Sequence, residues 1–341
     1  MKKIFIIICL LFFSVNITAQ NNLKSKDSIA NFYDELVSIM KAEYFFKEQV
    51  DWTQIETELN ERLYDSKGFK NSLDEVTFLF DKLNASHCSV HFEENIYKDS
   101  NKGPTSSDFS EKWLKKYATN PNFEVKVIDN QYGYILMPGI NILNDKESHK
   151  IAQPMYNQIN ELKNSKTIKG WIIDLRFNTG GAVTPMLLAL YDFLGDNDVW
   201  GVLDIDKKRT DIIELSEGNY KYNSKKSSYI NPKGELLDKV KVAVITNIAT
   251  ASSGEITALS FKGRENTIFI GEKTYGATTS NVIRNLPFGA YMALTVGYDC
   301  DRNGKFYKKI IPDIKIAGKD DFDNLLLDGK IQEGIKYFNE K

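Results

Sequence analysis

The chain has 341 residues, with 44 basic and 46 acidic side chains, a formal net charge of −2, and 42% hydrophobic residues. This length allows one large domain or two smaller ones, each with a buried core. The nearly balanced charge argues against a nucleic-acid partner.

The N-terminus reads "MKKIFIIICLLFFSVNITAQ". Two lysines precede an apolar run that ends near Ala19, which is the pattern of a secretory signal peptide. We therefore expect residues 1–19 to be cleaved and the protein to be exported to the periplasm, the cell surface or the medium. The alternative is a retained anchor, which would keep the protein near a membrane, but the run is short for a membrane span.

Apolar stripes at helical spacing predict a helical bundle at residues 20–92. Asp51 is placed to cap the second helix. "SLDE", Ser72 to Glu75, has the pattern of a capping box that opens the third helix. These stripes are core-forming, and we assign them no chemistry.

Beyond the bundle, residues 93–130 are polar and carry Gly103-Pro104, which predicts a linker or a cap segment. Strands then alternate with helices, so residues 131–319 are expected to form a layered α/β core. Within it, the polar stretch 205–235 is expected to be a hairpin, cap or lid. A C-terminal helix is expected at 320–341.

Two strand–turn–helix junctions stand out, "RFNTGGAV" and "NIATASSGE". We expect Thr184 to cap the helix after the first junction and Pro185 to open it. Ligands of open α/β sheets bind beyond the carboxyl ends of the strands. A serine on such a turn is presented as a nucleophile, and the next backbone N–H can serve in an oxyanion hole.

Both junctions also have ordinary interpretations. Ser252 or Ser253 could be a simple helix N-cap. The Gly180-Gly181 pair could form a phosphate cradle, although it lacks the spacing of a P-loop or a dinucleotide fingerprint.

A serine nucleophile needs a base, and the chain has three histidines. His149 lies in a charged helix start. A short strand after the third helix would place His87, Ser89 and His91 on one face. A lone histidine is more often structural than catalytic, but His87 ends the bundle among small polar residues, which favours it.

After cleavage, Cys88 and Cys300 remain. In an exported protein they could form a disulfide, or they could be two buried apolar residues. Cysteines and histidines do not occur at metal-site spacing, so we predict no metal and no cofactor.

Five motifs, in chain order, carry a family resemblance: "GYILMPGI", "GWIIDLRFNTGG", "VAVITNIATASSGEITALSF", "FIGEKTYGATTSN" and "GKFYKKIIPDIKI". Together they resemble the core of the tail-specific, or C-terminal-processing, serine proteases. The resemblance implies a crotonase-like layered α/β core preceded by a helical bundle, and serine peptidase activity. The interval from His91 to Gly133 is too short for a PDZ domain.

By position, the resemblance assigns Ser252 as the nucleophile. The Ser253 amide, with an amide of Gly180 or Gly181, would form the oxyanion hole. The lysine base of the processing enzymes falls at Ala277.

The base implied by the resemblance is therefore a histidine. Lys273 lies four residues before Ala277, at the wrong place for the family's lysine. "ASHCSV" is similar to the histidine site of the branch that includes the nisin-resistance protein and the tricorn core protease, which makes His87 the expected base.

Candidates for orienting His87 are Ser86, Asp299 and Asp301. Glu255 is interpreted as a structural group that orients a loop or bonds a turn amide. The expected partner is a peptide or protein bound in extended form, added to a strand edge. The alternatives are an inactive peptide-binding member of the fold and a hydrolase of non-peptide esters.

Overall fold

The computed structural model describes residues 26–142, 147–165 and 167–340. The predicted signal peptide lies outside the described residues. Within those ranges, no helix has both the length and the apolar character needed to span a bilayer. The chain divides into two compact units, one of residues up to 101 with 281–296 and one of residues 102–280 with 297 onward.

The first unit contains a cluster of helices with a shared apolar core. The helices are α1 (Lys26–Glu43), α2 (Trp52–Tyr64), α3 (Phe69–Ser72) and α4 (Glu75–Leu83). Phe32, Phe69 and Phe80 are fully buried in this core. The predicted cap of α2 is confirmed, because an Asp51 carboxylate oxygen accepts the Gln54 N–H at 3.1 Å.

The predicted capping box at the third helix is wrong. Ser72 is the last residue of α3, and its hydroxyl donates to the Phe69 carbonyl at 2.7 Å. Because Phe69 is buried in the core, the chain already turns helically there, and Ser72 cannot adopt the extended conformation of an N-cap. Helix α4 begins at Glu75, with Asp74 as an N-cap that makes no side-chain cap bond.

Two short strands follow the helices of the first unit, β1 (Ser89–Phe92) and β2 (Asn95–Tyr97). Strand β1 pairs antiparallel with β2 and with the first part of a long strand at Tyr291–Asp301, in the register Val90 opposite Met292.

The second unit holds the remaining elements. Its helices are α5 (Glu111–Tyr117), α6 (Ser148–Ser165), α7 (Val183–Ala189), α8 (Tyr191–Leu194), α9 (Ser253–Leu259) and α10 (Gly329–Asn339). Its strands are β3 (Glu124–Ile128), β4 (Tyr132–Leu136), β5 (Gly170–Asp174), β6 (Asn197–Leu203), β7 (Arg209–Ser216), β8 (Asn219–Tyr222), β9 (Lys225–Tyr229), β10 (Val242–Thr246), β11 (Thr267–Gly271) and β14 (Ile314–Lys315). The unit boundaries at 281 and 297 fall within β12 (Thr279–Asn285) and β13 (Tyr291–Asp301).

A six-stranded sheet forms the centre of the second unit, in the order β14-β11-β10-β5-β4-β3. All neighbours are parallel except β3, which runs antiparallel to β4. Helices α6, α7 and α9 pack on one face, and α5 and α10 pack on the other. Every residue of β4, β5 and β10 is buried, as expected for parallel strands covered on both faces. The predicted mixed α/β class is confirmed.

The polar stretch after β6 forms an antiparallel meander, β7-β8-β9, which confirms the predicted hairpin. The segment 93–130, expected to be a linker or a cap segment, contains β2, α5 and β3. Trp113 explains the order: it is buried and stacks on Phe177 at 5.2 Å between ring centroids.

The predicted start of α7 is wrong by two residues. Ala182 is the N-cap and Val183 the first helical residue, so Thr184 and Pro185 lie inside the first turn. Both are buried there, and a proline is tolerated in the first turn because its missing N–H would have no intrahelical acceptor.

Candidate active site

The turns that follow β5 and β10 lie against each other at one edge of the six-stranded sheet. The two strands are parallel neighbours, so their carboxyl ends coincide. The Thr250 hydroxyl donates to the Leu175 carbonyl at 2.9 Å, and the Ala251 N–H donates to the Asn178 carbonyl at 3.0 Å. The two junctions singled out in the sequence therefore form one structure.

Ser252 has an unusual backbone conformation, with φ 51° and ψ −122°. Ser252 is the N-cap of α9 and forms a capping box with Glu255, so the cap interpretation is confirmed for this residue. An ordinary N-cap residue, however, is extended, with negative φ. For a residue other than glycine, such a conformation costs about 1–3 kcal/mol and is found mainly at functional sites. A serine on a strained turn between a strand and a helix is the arrangement that exposes a nucleophilic hydroxyl.

Two glycines allow the turns to approach so closely. Gly180 has φ +114°, and a Cβ there would lie 2.9 Å from the Ser252 Cβ. At Gly254, an added Cβ would lie only 2.4 Å from the Asn178 carbonyl oxygen. The sequence analysis predicted no role for Gly254. A glycine in the first turn of a helix lowers helix propensity, and this could have indicated a close backbone contact there.

The backbone amides around Ser252 differ in what they bond. The Gly180 N–H donates to the Asn178 Oδ1 at 3.1 Å. Gly181 forms an isolated bridge with Ile140, but the two bonds of that bridge use the Gly180 carbonyl and the Ala182 N–H. The Ser253 hydroxyl donates to the Gly181 carbonyl at 2.5 Å. Ser253 is the first residue of α9, where backbone N–H groups have no intrahelical acceptor.

The Glu255 carboxylate ties the Ser252 turn to the segment at 274–277. One oxygen accepts the Thr274 hydroxyl and the Gly276 N–H, the latter at 2.8 Å. The other accepts the Ala277 N–H at 2.7 Å and the Ser252 N–H at 3.2 Å. Burial raises the pKa of Glu255 to about 7, against the lowering effect of these bonds. The expected bond from Glu255 to turn amides is confirmed.

Neither Ala277, at the position of the family's lysine, nor Lys273, four residues earlier, supplies a buried amine. Ala277 is buried, with 7% of its surface exposed. Lys273 is exposed.

Arg176 anchors the chain just before the Asn178 turn. Its guanidinium is fully buried and bonds Asp174, Asp320 and Asp328, the last two at 2.7 Å from Nη1. The Trp113 indole N–H donates to the Arg176 carbonyl at 3.1 Å. In the sequence, Asp174 and Arg176 are the charged pair that ends the apolar run before "NTGG". The sequence analysis assigned no role to this pair.

The two candidate aspartates of β13 have different surroundings. Asp301 accepts the Asn303 and Lys305 N–H groups at 2.9 Å and the Tyr307 hydroxyl at 3.0 Å. Asp299 is 1% exposed, and neither of its carboxyl oxygens has a hydrogen-bond partner among the described residues.

In the first unit, His87 lies in the turn that joins α4 to β1. Asn84 ends α4 in the left-handed conformation, and the Cys88 N–H donates to the Ala85 carbonyl at 2.9 Å. The placement of His87 on a strand face is therefore wrong, because this turn occupies its position and β1 begins at Ser89. His87 is half-buried, and its backbone carbonyl accepts the Asn281 side-chain amide N–H at 2.6 Å.

The neighbouring Ser86 is exposed. The other part of the strand prediction is confirmed, since the Ser89 hydroxyl lies 3.0 Å from the His91 Nε2 on one face of β1.

The other two histidines are engaged in local contacts. His91 stacks on Tyr291 at 4.6 Å, and burial lowers its pKa. His149 stacks on Tyr229 at 4.1 Å, and its Nδ1 lies 2.8 Å from the Tyr229 carbonyl.

Cys88 and Cys300 are buried thiols that form no disulfide. Burial raises the pKa of both, to about 11 for Cys300. Across the described ranges, no group of three or more His, Cys, Asp or Glu side chains is arranged to hold a metal ion.

Residues 131–316, more than half of the chain, match the family model of peptidase family S41. The chain belongs to peptidase family S41. It is therefore a serine-type peptidase of the tail-specific kind, and the family resemblance found in the sequence is confirmed.

Individual relatives agree with this S41 assignment. The nisin-resistance protein of Lactococcus lactis is 26% identical over 272 residues, which cover 79% of this chain and 78% of that protein. The carboxy-terminal processing protease CtpA of Bacillus subtilis is 29% identical over 172 residues, covering 49% of this chain and 33% of CtpA. A solved lipoprotein from Streptococcus agalactiae shares the fold, with 22% identity, a TM-score of 0.65, and coverage of 90% of this chain and 94% of its own.

Proposed function

We propose that this S41 peptidase is exported and hydrolyses peptide bonds with Ser252 as nucleophile and His87 as general base. The observation that carries the proposal is the backbone of Ser252, at φ 51° and ψ −122° between β10 and α9. A residue that served only as a cap would have no reason to retain a strained conformation.

In the proposed reaction, His87 takes the proton of the Ser252 hydroxyl as the oxygen attacks the peptide carbonyl. The imidazolium then gives this proton to the leaving amine, which breaks the C–N bond and leaves an acyl-enzyme. His87 next activates a water, which attacks the ester carbonyl. The proton returns to Ser252 as the acid product leaves.

The oxyanion is proposed to be held by the Ser253 and Gly181 amides. Gly180, the other glycine of the predicted hole, donates its N–H to Asn178, and its main role in this account is to let the turn approach Ser252. Stabilisation of this kind requires donors fixed before the reaction begins. The Ser253 hydroxyl bond to Gly181 supplies such fixation.

His87 is preferred as the base because no amine occupies position 277 and because the other histidines are held in stacks on Tyr291 and Tyr229. Ser86 remains the proposed partner that orients His87. Asp301 is less suited to that role, since its oxygens accept bonds from its own hairpin.

We further propose a crotonase-like core at 131–319 without a PDZ insertion, preceded by a bundle at 20–92 that ends at the base. The alignment of the Streptococcus lipoprotein over 90% of this chain supports a shared architecture. The substrate is proposed to bind as an extended peptide added to a strand edge. The names of two relatives, a nisin-resistance protein and a carboxy-terminal processing protease, make an antibiotic peptide and a protein C-terminus the first substrates to assay.

The test uses a phosphonofluoridate, followed by peptide mapping and a panel of peptides and simple esters. We expect one label on Ser252, none on the adjacent Ser253, and cleavage of peptides that is lost in Ser252→Ala. Absence of labelling would favour an inactive binding protein. Cleavage of esters without cleavage of any peptide would favour a non-peptide hydrolase.

A further inference from the structure

Asp299 is a buried carboxyl group without a partner. It lies in β13, and neither of its oxygens is hydrogen-bonded to any residue that the structure describes. Its backbone N–H donates to the Thr278 carbonyl at 3.0 Å, one residue beyond the segment that Glu255 holds. An ionised carboxylate is strongly disfavoured in such a place, because burial removes its hydration and nothing replaces it.

Glu255, equally buried, has the opposite environment. Its two oxygens accept bonds from the Thr274 hydroxyl and from the N–H groups of Gly276, Ala277 and Ser252. A carboxylate is an acceptor only, so this set of donors favours the ionised form. Glu255 accepts the Ala277 N–H at 2.7 Å and the Asp299 N–H donates to the Thr278 carbonyl at 3.0 Å, so both acidic residues bond neighbouring residues of one segment.

The other charged or titratable groups near Asp299 do not change this balance. Cys300 and Asp301 flank it on β13, and Asp301 is satisfied within its own hairpin. Arg209 acts electrostatically on Cys300. In the described part of the chain, Asp299 forms no ion pair with a lysine, arginine or histidine.

We infer that Asp299 is a positioning residue that stays a neutral carboxylic acid. Asp299 and Glu255 together then carry one negative charge, which lies on Glu255, and the charged Glu255 fixes the turn of Ser252. This inference rests on the proposed function only in taking Ser252 as the nucleophile. Two adjacent buried carboxylates repel each other. Ionisation of Asp299 would therefore weaken the Glu255 bonds that hold the Ser252 turn.

The burial and the charges around the two carboxyl groups are consistent with this placement of the proton. Burial and the nearby Glu255 charge hold the pKa of Asp299 well above its ordinary range. The pKa of Glu255 is also raised, but only to about 7. Above neutral pH, Glu255 is therefore the group that is ionised.

Infrared spectroscopy of the whole protein at about pH 8.5 tests the inference directly. We expect a carboxylic-acid carbonyl band that shifts when aspartate is labelled with ¹³C and does not shift when glutamate is labelled. Asp299→Asn should remove this band, whereas the matched variant Asp301→Asn and the variant Glu255→Gln should retain it. A band that persists in Asp299→Asn and disappears in Glu255→Gln would overturn the inference, as would the absence of an aspartate band from the unmodified protein.

A second measurement follows stability against pH. The pKa of Asp299 is raised in the folded state, so the folded protein binds one more proton than the unfolded chain above about pH 4. Stability from this group is therefore lost as pH rises, and the unfolding constant of the wild type relative to Asp299→Asn should rise by about tenfold per pH unit. A flat ratio between about pH 5 and pH 8 would contradict the inference.

Neither measurement depends on hydrolysis. A missing aspartate band would leave the proposed function intact. A failure of Ser252 to react with the phosphonofluoridate would leave the assignment of the proton to Asp299 intact.

Discussion

Replacement of Ser252 by glycine separates a strained nucleophile from an ordinary helix cap. At φ 51° and ψ −122° the serine occupies a conformation that costs an L-residue about 1–3 kcal/mol and that glycine adopts freely. Glycine loses about 0.5–1 kcal/mol more conformational entropy on folding. Loss of the Ser252 side chain from its capping box with Glu255 costs a few tenths of a kcal/mol more. The balance predicts that Ser252→Gly is as stable as the wild type or more stable by up to about 2 kcal/mol, while hydrolysis is abolished.

Ser110→Gly is the matched control. Ser110 is the N-cap of α5 with ordinary backbone angles, φ −68° and ψ 153°, and its hydroxyl oxygen accepts the Trp113 N–H at 3.1 Å. The same exchange removes this cap bond and the bond that the Ser110 hydroxyl donates to an Asp320 carboxylate oxygen at 2.5 Å, so it should destabilise by about 1–3 kcal/mol. Scanning calorimetry on both variants resolves the sign, since 1 kcal/mol shifts the Tm of a domain of this size by about 2–4 °C. A loss in Ser252→Gly as large as that in Ser110→Gly would refute the strain argument.

Three further predictions concern Gly180, the proposed base and Glu255. Gly180→Ala places a Cβ 2.9 Å from that of Ser252, at φ +114°. The variant should lose about 1–3 kcal/mol in the free energy of unfolding and at least tenfold in kcat/KM. A variant with the melting temperature and the peptidase rate of the wild type would show that the turns do not need this close approach. In steady-state peptide hydrolysis, His87→Ala should lose several orders of magnitude in kcat, whereas Lys273→Ala should lose little; the reverse result would reassign the base. Burial raises the folded-state pKa of Glu255 to about 7. The contribution of Glu255 to stability is therefore present below about pH 4.3 and is lost as pH rises to about 7. In urea titrations, Glu255→Gln should reduce the fall of the unfolding free energy with pH, and an unchanged fall would contradict the raised pKa.

The sequence predicted the parts of the structure that local patterns determine. The segments that form β5 and β10 are nearly continuous runs of apolar residues. Such a run is typical of a parallel strand that is covered on both faces, because no side chain of that strand faces water. The junction serines were singled out because they lie on a sharp turn beyond the carboxyl end of a predicted strand. The family motifs added the expectation of which serine reacts.

Other features depend on tertiary contacts that no local pattern reports. Ser72 has the residue type of a cap, but the burial of Phe69 draws it into a helix. Trp113 gives order to a segment whose composition predicts a linker. The contrast between Asp299 and Asp301, two residues apart on one strand, appears only when their hydrogen-bond partners are known.

The distance from the His87 Nε2 to the Ser252 Oγ in a crystal structure of the phosphonylated protein decides whether these two side chains work as a pair. The proposed mechanism predicts one adduct on Ser252, with the imidazole within hydrogen-bond reach of the Oγ or of the attached oxygens, at about 2.6–3.2 Å and under about 4 Å in a loose arrangement. An adduct on another residue would contradict the proposed mechanism. So would a His87 imidazole that lies out of reach of the adduct on Ser252.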